Sequence, residues 1–159
     1  MYTIHLAKEP FKFSCSHFTI LAPDKAERLH GHNYQMHVDI TVEALDPKLG
    51  FAFDFNEIKP RIREFCDALD ERILIPTQSP FLKLKPGTEN IEVQFGEKKY
   101  SFPLEDTLQL PLTNITTEEL ARFACHRLMA DLKDLPKWTS ILVHVEETRG
   151  QGVSFSQKR

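Results

Sequence analysis

No apolar run in this chain of 159 residues approaches the roughly 20 residues that a membrane-spanning helix needs, so a helical membrane protein is excluded. Blocks of like charge are missing too. The longest basic runs are Lys98-Lys99 and Lys158-Arg159, and the formal charge is -3, a balance that argues against nucleic acid as a partner. Met1-Tyr2-Thr3-Ile4-His5 lacks the basic segment and apolar stretch of a secretory leader, so none is expected. Cysteine is scarce: Cys15, Cys66 and Cys125 are odd in number, widely spaced and set within apolar pattern. They offer no disulfide framework and read as small hydrophobes of a reduced, cytoplasmic protein. Repeats and low-complexity segments are absent. What remains is the profile of one domain, residues 1–159, with a real core.

Within that profile the stretch Leu29-His30-Gly31-His32-Asn33-Tyr34 organises the rest. If the following strand begins at His30, alternation puts His30 and His32 on one face, about 7 Å apart at roughly 3.3 Å per residue. Glycine between them leaves room for a third group to approach. A third imidazole lies upstream at His17, closing Phe13-Ser14-Cys15-Ser16-His17. An H-x-H pair alone is also the pattern of a surface pair. Three neutral imidazoles with a free fourth position are the arrangement of a catalytic zinc site.

Taken in order, Tyr2 to Phe18 reads as extended structure broken at Glu9-Pro10, with His17 sharing the parity of Phe11, Phe13 and Cys15. A polar loop from Pro23 to Arg28 leads to a long strand. On it Tyr34, Met36, Val38, Ile40 and Val42 alternate with a polar face that takes His37. After the turn at Asp46 to Gly50, a short extended piece over Phe51 to Phe53 is expected. A helix follows, capped by Asp54 or Asn56, with Ile58, Ile62, Phe65, Cys66 and Leu69 inward and Pro60 near its first turn. Residues 74–112 read as a hairpin or three-stranded meander, from the alternation of Ile91, Val93 and Phe95 and of Tyr100, Phe102 and Leu104 around Gly96. Thr116 with Glu119 forms a capping box before the stripe Leu120, Phe123, Ala124, Leu128, Leu132, and Pro136 ends that helix. The last strand runs from Ser140 to Glu147, and an extended piece from Gly152 to Ser156 closes the chain.

Two strands, a helix, a helix and two strands, carrying these motifs, resemble the 6-pyruvoyl-tetrahydropterin synthase family, which includes the 6-carboxy-tetrahydropterin synthases. The likeness is carried by Phe13 to His17, by Leu29 to Tyr34, by Asn114-Ile115-Thr116-Thr117-Glu118-Glu119 and by Val143 to Thr148. The resemblance implies an α+β tunnelling fold: a four-stranded antiparallel sheet with two helices on one face, here with the inserted β-meander. It further implies Zn2+ on His17, His30 and His32, a pterin held by Thr116, Thr117 and Glu147, and 7,8-dihydroneopterin triphosphate as substrate. A homo-oligomer built by joining sheet edges, with active sites between subunits, is implied as well.

The family's proton-transfer residues are where the pattern departs. The positions that carry cysteine in carboxy-forming and pyruvoyl-forming members are Ala26 and Asp24 here. Glu27 instead resembles a subgroup in which glutamate replaces the cysteine and 6-hydroxymethyl-7,8-dihydropterin is released. The usual Asp-His after the first helix is Asp70-Glu71. The expected catalytic set is therefore Glu27, Asp70 and Glu71, in a zinc-dependent pterin lyase of queuosine or folate biosynthesis. A zinc- and pterin-binding member without synthase activity is the other outcome this pattern allows.

Overall fold

The computed structural model describes residues 1–135 and 138–159. In chain order the elements are β1 (Tyr2–Leu6), β2 (Lys12–His17), β3 (Ile20–Ala22), β4 (Lys25–Ala26), β5 (His30–Val42), α1 (Phe55–Leu69) and β6 (Arg72–Pro76). They continue as β7 (Lys83–Pro86), β8 (Asn90–Phe95), β9 (Lys98–Pro103), β10 (Thr107–Leu110), α2 (Thr117–Asp131), β11 (Trp138–Thr148) and β12 (Gln151–Lys158).

The long strand β5 is the axis of the sheet. Along one edge it pairs antiparallel with β1 and then β2, which behave as one strand broken at Pro10; along the other it pairs with β11, which pairs with β12. This is the expected four-stranded antiparallel sheet. Its helix-facing side chains Tyr34, Met36, Val38, Ile40 and Val42, with Ile141, Val143 and Val145 of β11, are all within 1 % of complete burial. Both helices cover that face. α1 contributes Ile58, Ile62, Phe65, Cys66 and Leu69, and α2 contributes Leu120, Ala121, Ala124, Cys125 and Leu128. Each large aliphatic chain so buried stabilises the fold by about 1.5–3 kcal/mol before chain entropy is set against it.

Asp54 is the N-cap of α1, accepting from the Asn56 amide at 2.8 Å. Pro60 lies deeper than its composition suggested, at the sixth helical position, where it deprives the Asn56 carbonyl of its donor on an exposed face. Phe51 to Phe53 is irregular chain rather than a strand. Thr116 caps α2 through the Glu119 amide at 3.2 Å, but the capping box is half made, because the Glu119 carboxylate turns to Arg122 at 2.8 Å. Pro136, expected to end α2, lies outside the described residues.

The segment expected to be an insertion does two things. Its ends, β6 and β10, extend the main sheet as parallel strands beside β2, while β7, β8 and β9 form the expected antiparallel meander. The polar loop before β5 is likewise more ordered than its composition implied, because β3 and β4 fold it into a small hairpin.

Candidate metal centre and substrate cavity

Antiparallel register assembles the histidines. His17, the last residue of β2, lies directly opposite His30, the first residue of β5, and Cys15 lies opposite His32. All three imidazoles therefore project from the helix-facing side at the open end of the sheet. One ring nitrogen from each lies within 4.8 Å of the others, so the three residues are placed to hold a metal ion. Carbonyls orient two of the rings: His17 Nδ1 faces Ile115 O at 3.1 Å and His30 Nδ1 faces Arg28 O at 2.7 Å. A carbonyl accepts only from N–H, so each ring carries its proton on Nδ1 and turns the Nε2 lone pair inward. The donor set and its second layer both fit a divalent ion such as zinc. Gly31 plays no steric part, since an added Cβ would meet Cys15 O at 3.5 Å and Ser16 Oγ at 3.6 Å, which is ordinary contact.

Around the triad the electrostatics are tightly coupled. His17 is 2 % exposed. Its pKa is lowered, first by burial and then by His30, against the opposing pull of the Ile115 carbonyl. Tyr34 donates its hydroxyl to Glu147 Oε1 at 2.9 Å and lies 3.2 Å from His17 Nε2; burial raises its pKa well above the usual tyrosine value. Glu147 Oε1 is 3.4 Å from His32 Nε2 and 3.8 Å from His17 Nε2. This carboxylate, expected to grip a ring, thus stands at the edge of the triad itself.

Glu27 Oε2 is 3.9 Å from His30 Nε2. Desolvation pushes its carboxyl pKa upward, but hydrogen bonds from Thr19, helped by His30 and His17, outweigh it and the net shift is downward. A cavity of about 740 Å³ opens above these groups and gathers Glu27, His30, His32, Thr116, Thr117 and Glu147 on its walls. Glu118, in the first turn of α2, lines the same space and was not anticipated; its place directly after Thr116-Thr117 was the available signal. Gly152 was also missed. It also lines the cavity, and a Cβ there would stand 2.6 Å from Val145 O, so only glycine fits.

Asp70 and Glu71 are not in this cavity. Asp70 caps the end of α1 and its Oδ1 accepts from the Ser14 amide at 2.6 Å. Glu71 adopts φ +56° and its amide donates to Ser14 O at 2.7 Å. Within the chain these two tie α1 to β2 rather than attend the triad. The thiols are no substitute: burial pushes Cys15 and Cys66 up to about 12 and Cys125 to about 11, which suppresses the thiolate.

Comparison with known proteins agrees with this geometry. The family model described as 6-pyruvoyl tetrahydropterin synthase matches residues 5–158. A Methanocaldococcus jannaschii protein provisionally named 6-carboxy-5,6,7,8-tetrahydropterin synthase is 31 % identical, over 91 % of this chain and 88 % of its own length. The crystal structure of 6-pyruvoyl tetrahydropterin synthase from Plasmodium vivax superposes with a TM-score of 0.92 at 26 % identity, covering 99 % of this chain and 98 % of that one. A second structure of the P. vivax enzyme, in which a catalytic glutamate is replaced by alanine, gives a TM-score of 0.92 at 25 % identity over the same shares.

Proposed function

Since the chain belongs to the 6-pyruvoyl tetrahydropterin synthase family, whose members are pterin-processing lyases, we propose that it is a zinc-dependent lyase acting on 7,8-dihydroneopterin triphosphate. Its product in this reading is 6-hydroxymethyl-7,8-dihydropterin. The observation that carries the reading is the carboxylate of Glu27 beside His30 on the cavity wall, in a chain whose three thiols are all buried.

Zinc on His17, His30 and His32 would supply Lewis-acid polarisation of the substrate's side-chain hydroxyls. The Glu27 carboxyl, with its lowered pKa, is ionised at neutral pH and so is present in the form that accepts a proton. It takes the proton from the hydroxyl on the second side-chain carbon. The bond between the first and second carbons then breaks, its electron pair passing to the first carbon and the conjugated ring. The same carboxyl returns the proton to the first carbon. A two-carbon aldehyde bearing the triphosphate leaves, and the hydroxymethyl group stays on the pterin.

Ring recognition falls to the acidic wall. Glu147 and Glu118 can accept from the ring N–H and amino group as charge-assisted bonds. Thr116 uses its oxygen to cap α2 yet keeps its hydroxyl proton to donate, and Thr117 stands beside it. Among the described residues the sheet ends in an unpaired edge, the eight-residue strand β12, which supports a homo-oligomer joined edge to edge. Asp70 and Glu71 could then act only at a neighbouring copy's cavity.

The test is to incubate the zinc-loaded protein with 7,8-dihydroneopterin triphosphate and identify products by mass. Glu27→Gln should abolish release of the hydroxymethyl product while zinc content and pterin binding persist. A 6-pyruvoyl or 6-carboxy product would overturn the assignment. A second reading, a zinc- and pterin-binding protein without synthase activity, draws on the downward shift of Glu27, which makes it a weaker base; absence of any product would favour it.

A further inference from the structure

Beside the cavity lies a second hydrophobic core, separate from the one under the sheet. Phe18 and Ile20 build it with Ile91, Val93 and Phe95 of the meander, and Ala26 and Tyr100 pack against it. Tyr100 stacks on Phe18 with ring centroids 5.4 Å apart and planes 20° from parallel, and on Phe102 at 5.5 Å and 15°. Lys98 Nζ donates to Ala26 O at 3.4 Å. Phe18 directly follows His17, and Ala26 directly precedes Glu27. The meander therefore grips the backbone one residue from a candidate metal ligand and one residue from the candidate base.

That grip matters because the hairpin carrying Glu27 is slight. It has three residues in β3 and two in β4, and a two-stranded hairpin of that size is marginal in water by itself. Inside it, the Glu27 amide donates to Thr19 O at 2.9 Å and the Thr19 amide donates to Glu27 Oε2 at 3.2 Å, so the carboxylate is held by the hairpin's own backbone. Support comes from two sides. Asn114 clamps Ile20, accepting from its amide at 3.0 Å and donating to its carbonyl at 2.8 Å, and the meander closes the other flank.

We propose that the β7–β9 meander is a positioning device for Glu27, and that Tyr100 is its principal positioning residue, locking the β3–β4 hairpin over the triad by stacking on Phe18. The inference rests on the reading of Glu27 as base and goes beyond it by giving the insertion a role in that chemistry. Tyr100 is half-buried and its hydroxyl makes no contact the argument needs, so the ring alone does the positioning.

Hydrogen exchange on the full-length protein, read by mass with chelator present, tests this without reference to activity. Tyr100→Leu should speed exchange of the amides over residues 19–27 by about tenfold while β11 stays protected, and Tyr100→Phe should restore the unaltered rate. Unchanged exchange in the hairpin would overturn the proposal. So would equal loosening of β11, since that marks general destabilisation rather than positioning. In the zinc-loaded protein Tyr100→Leu should lower kcat on 7,8-dihydroneopterin triphosphate by about tenfold with KM unchanged, and should add nothing in a Glu27→Gln background. Should Glu27→Gln turn over normally, the base assignment fails and the exchange result still decides whether the meander holds the hairpin. If Glu27→Gln is inactive while Tyr100→Leu is unimpaired in both measurements, the positioning inference alone fails.

Discussion

Acid should destabilise the metal-free protein well before its carboxylates titrate, because His17 is folded away as a neutral imidazole. The ring is 2 % exposed, and burial together with His30 and His32 lowers its pKa below the ordinary value near 6.5. Below about pH 6.5 the unfolded chain takes up a proton at this position that the folded chain refuses. Stability therefore falls as pH falls, from the unfolded-state pKa downward, and levels off only once the folded-state pKa is passed. One proton is worth about 1.4 kcal/mol per pH unit in that window, so lowering pH from 7.5 to 5.5 should cost at most about 1.4 kcal/mol from His17 alone, the limit set by a ring that stays neutral throughout. For a chain of this length that is a fall of about 3–6 °C in Tm. Glu27, whose pKa is lowered, adds a loss of the same sign only at lower pH, since its ordinary value lies near 4.3. The assay is thermal unfolding in chelator at pH 7.5, 6.5 and 5.5, on the unaltered protein and on His17→Asn, whose amide can still donate to Ile115 O. The variant's pH dependence should be flatter by about that amount. Equal dependence in both proteins would refute the reasoning, as would a stability that rises on acidification.

Two further outcomes follow from the triad and the sheet edges. The unaltered protein should bind one zinc per chain, and a His30→Ala, His32→Ala double variant should lose at least nine-tenths of it; full occupancy by metal analysis would remove the centre. Sedimentation at micromolar concentration should show an oligomer, since β12 presents eight residues of strand edge unpaired among the described residues; a monomer alone would refute edge pairing.

Much of this was legible because period-two alternation is a strong signal on a half-buried strand. Tyr34 to Val42 fixed the face of β5, and parity from Tyr34 back to His32 and His30 placed both imidazoles among the inward groups before any fold was drawn. His17 followed by the same parity from Phe13 and Cys15. Register between β2 and β5 was not readable, and it is what makes His17 face His30. Parity names a face but not a neighbour. Nor could the sequence tell a charged loop from a hairpin over Pro23 to Arg28, because β3 and β4 are too short to show alternation and are held by contacts far along the chain, from Asn114 and the meander.

The same limit explains Glu147 and Asp70. A carboxylate near the end of a final strand announces a role only through what folds beside it, and here the Tyr34 hydroxyl and two imidazoles draw it to the triad. Asp70 carries an identical group one residue past a helix, where the nearest donor is the Ser14 amide, and so it becomes a cap. Glu71 beside it accepts a left-handed backbone that costs about 1–3 kcal/mol for a residue other than glycine. Its amide bond to Ser14 O offsets part of it. The adjacent residues Asp70 and Glu71 are therefore taken up by the junction between α1 and β2, while Glu27 lines the cavity beside the triad.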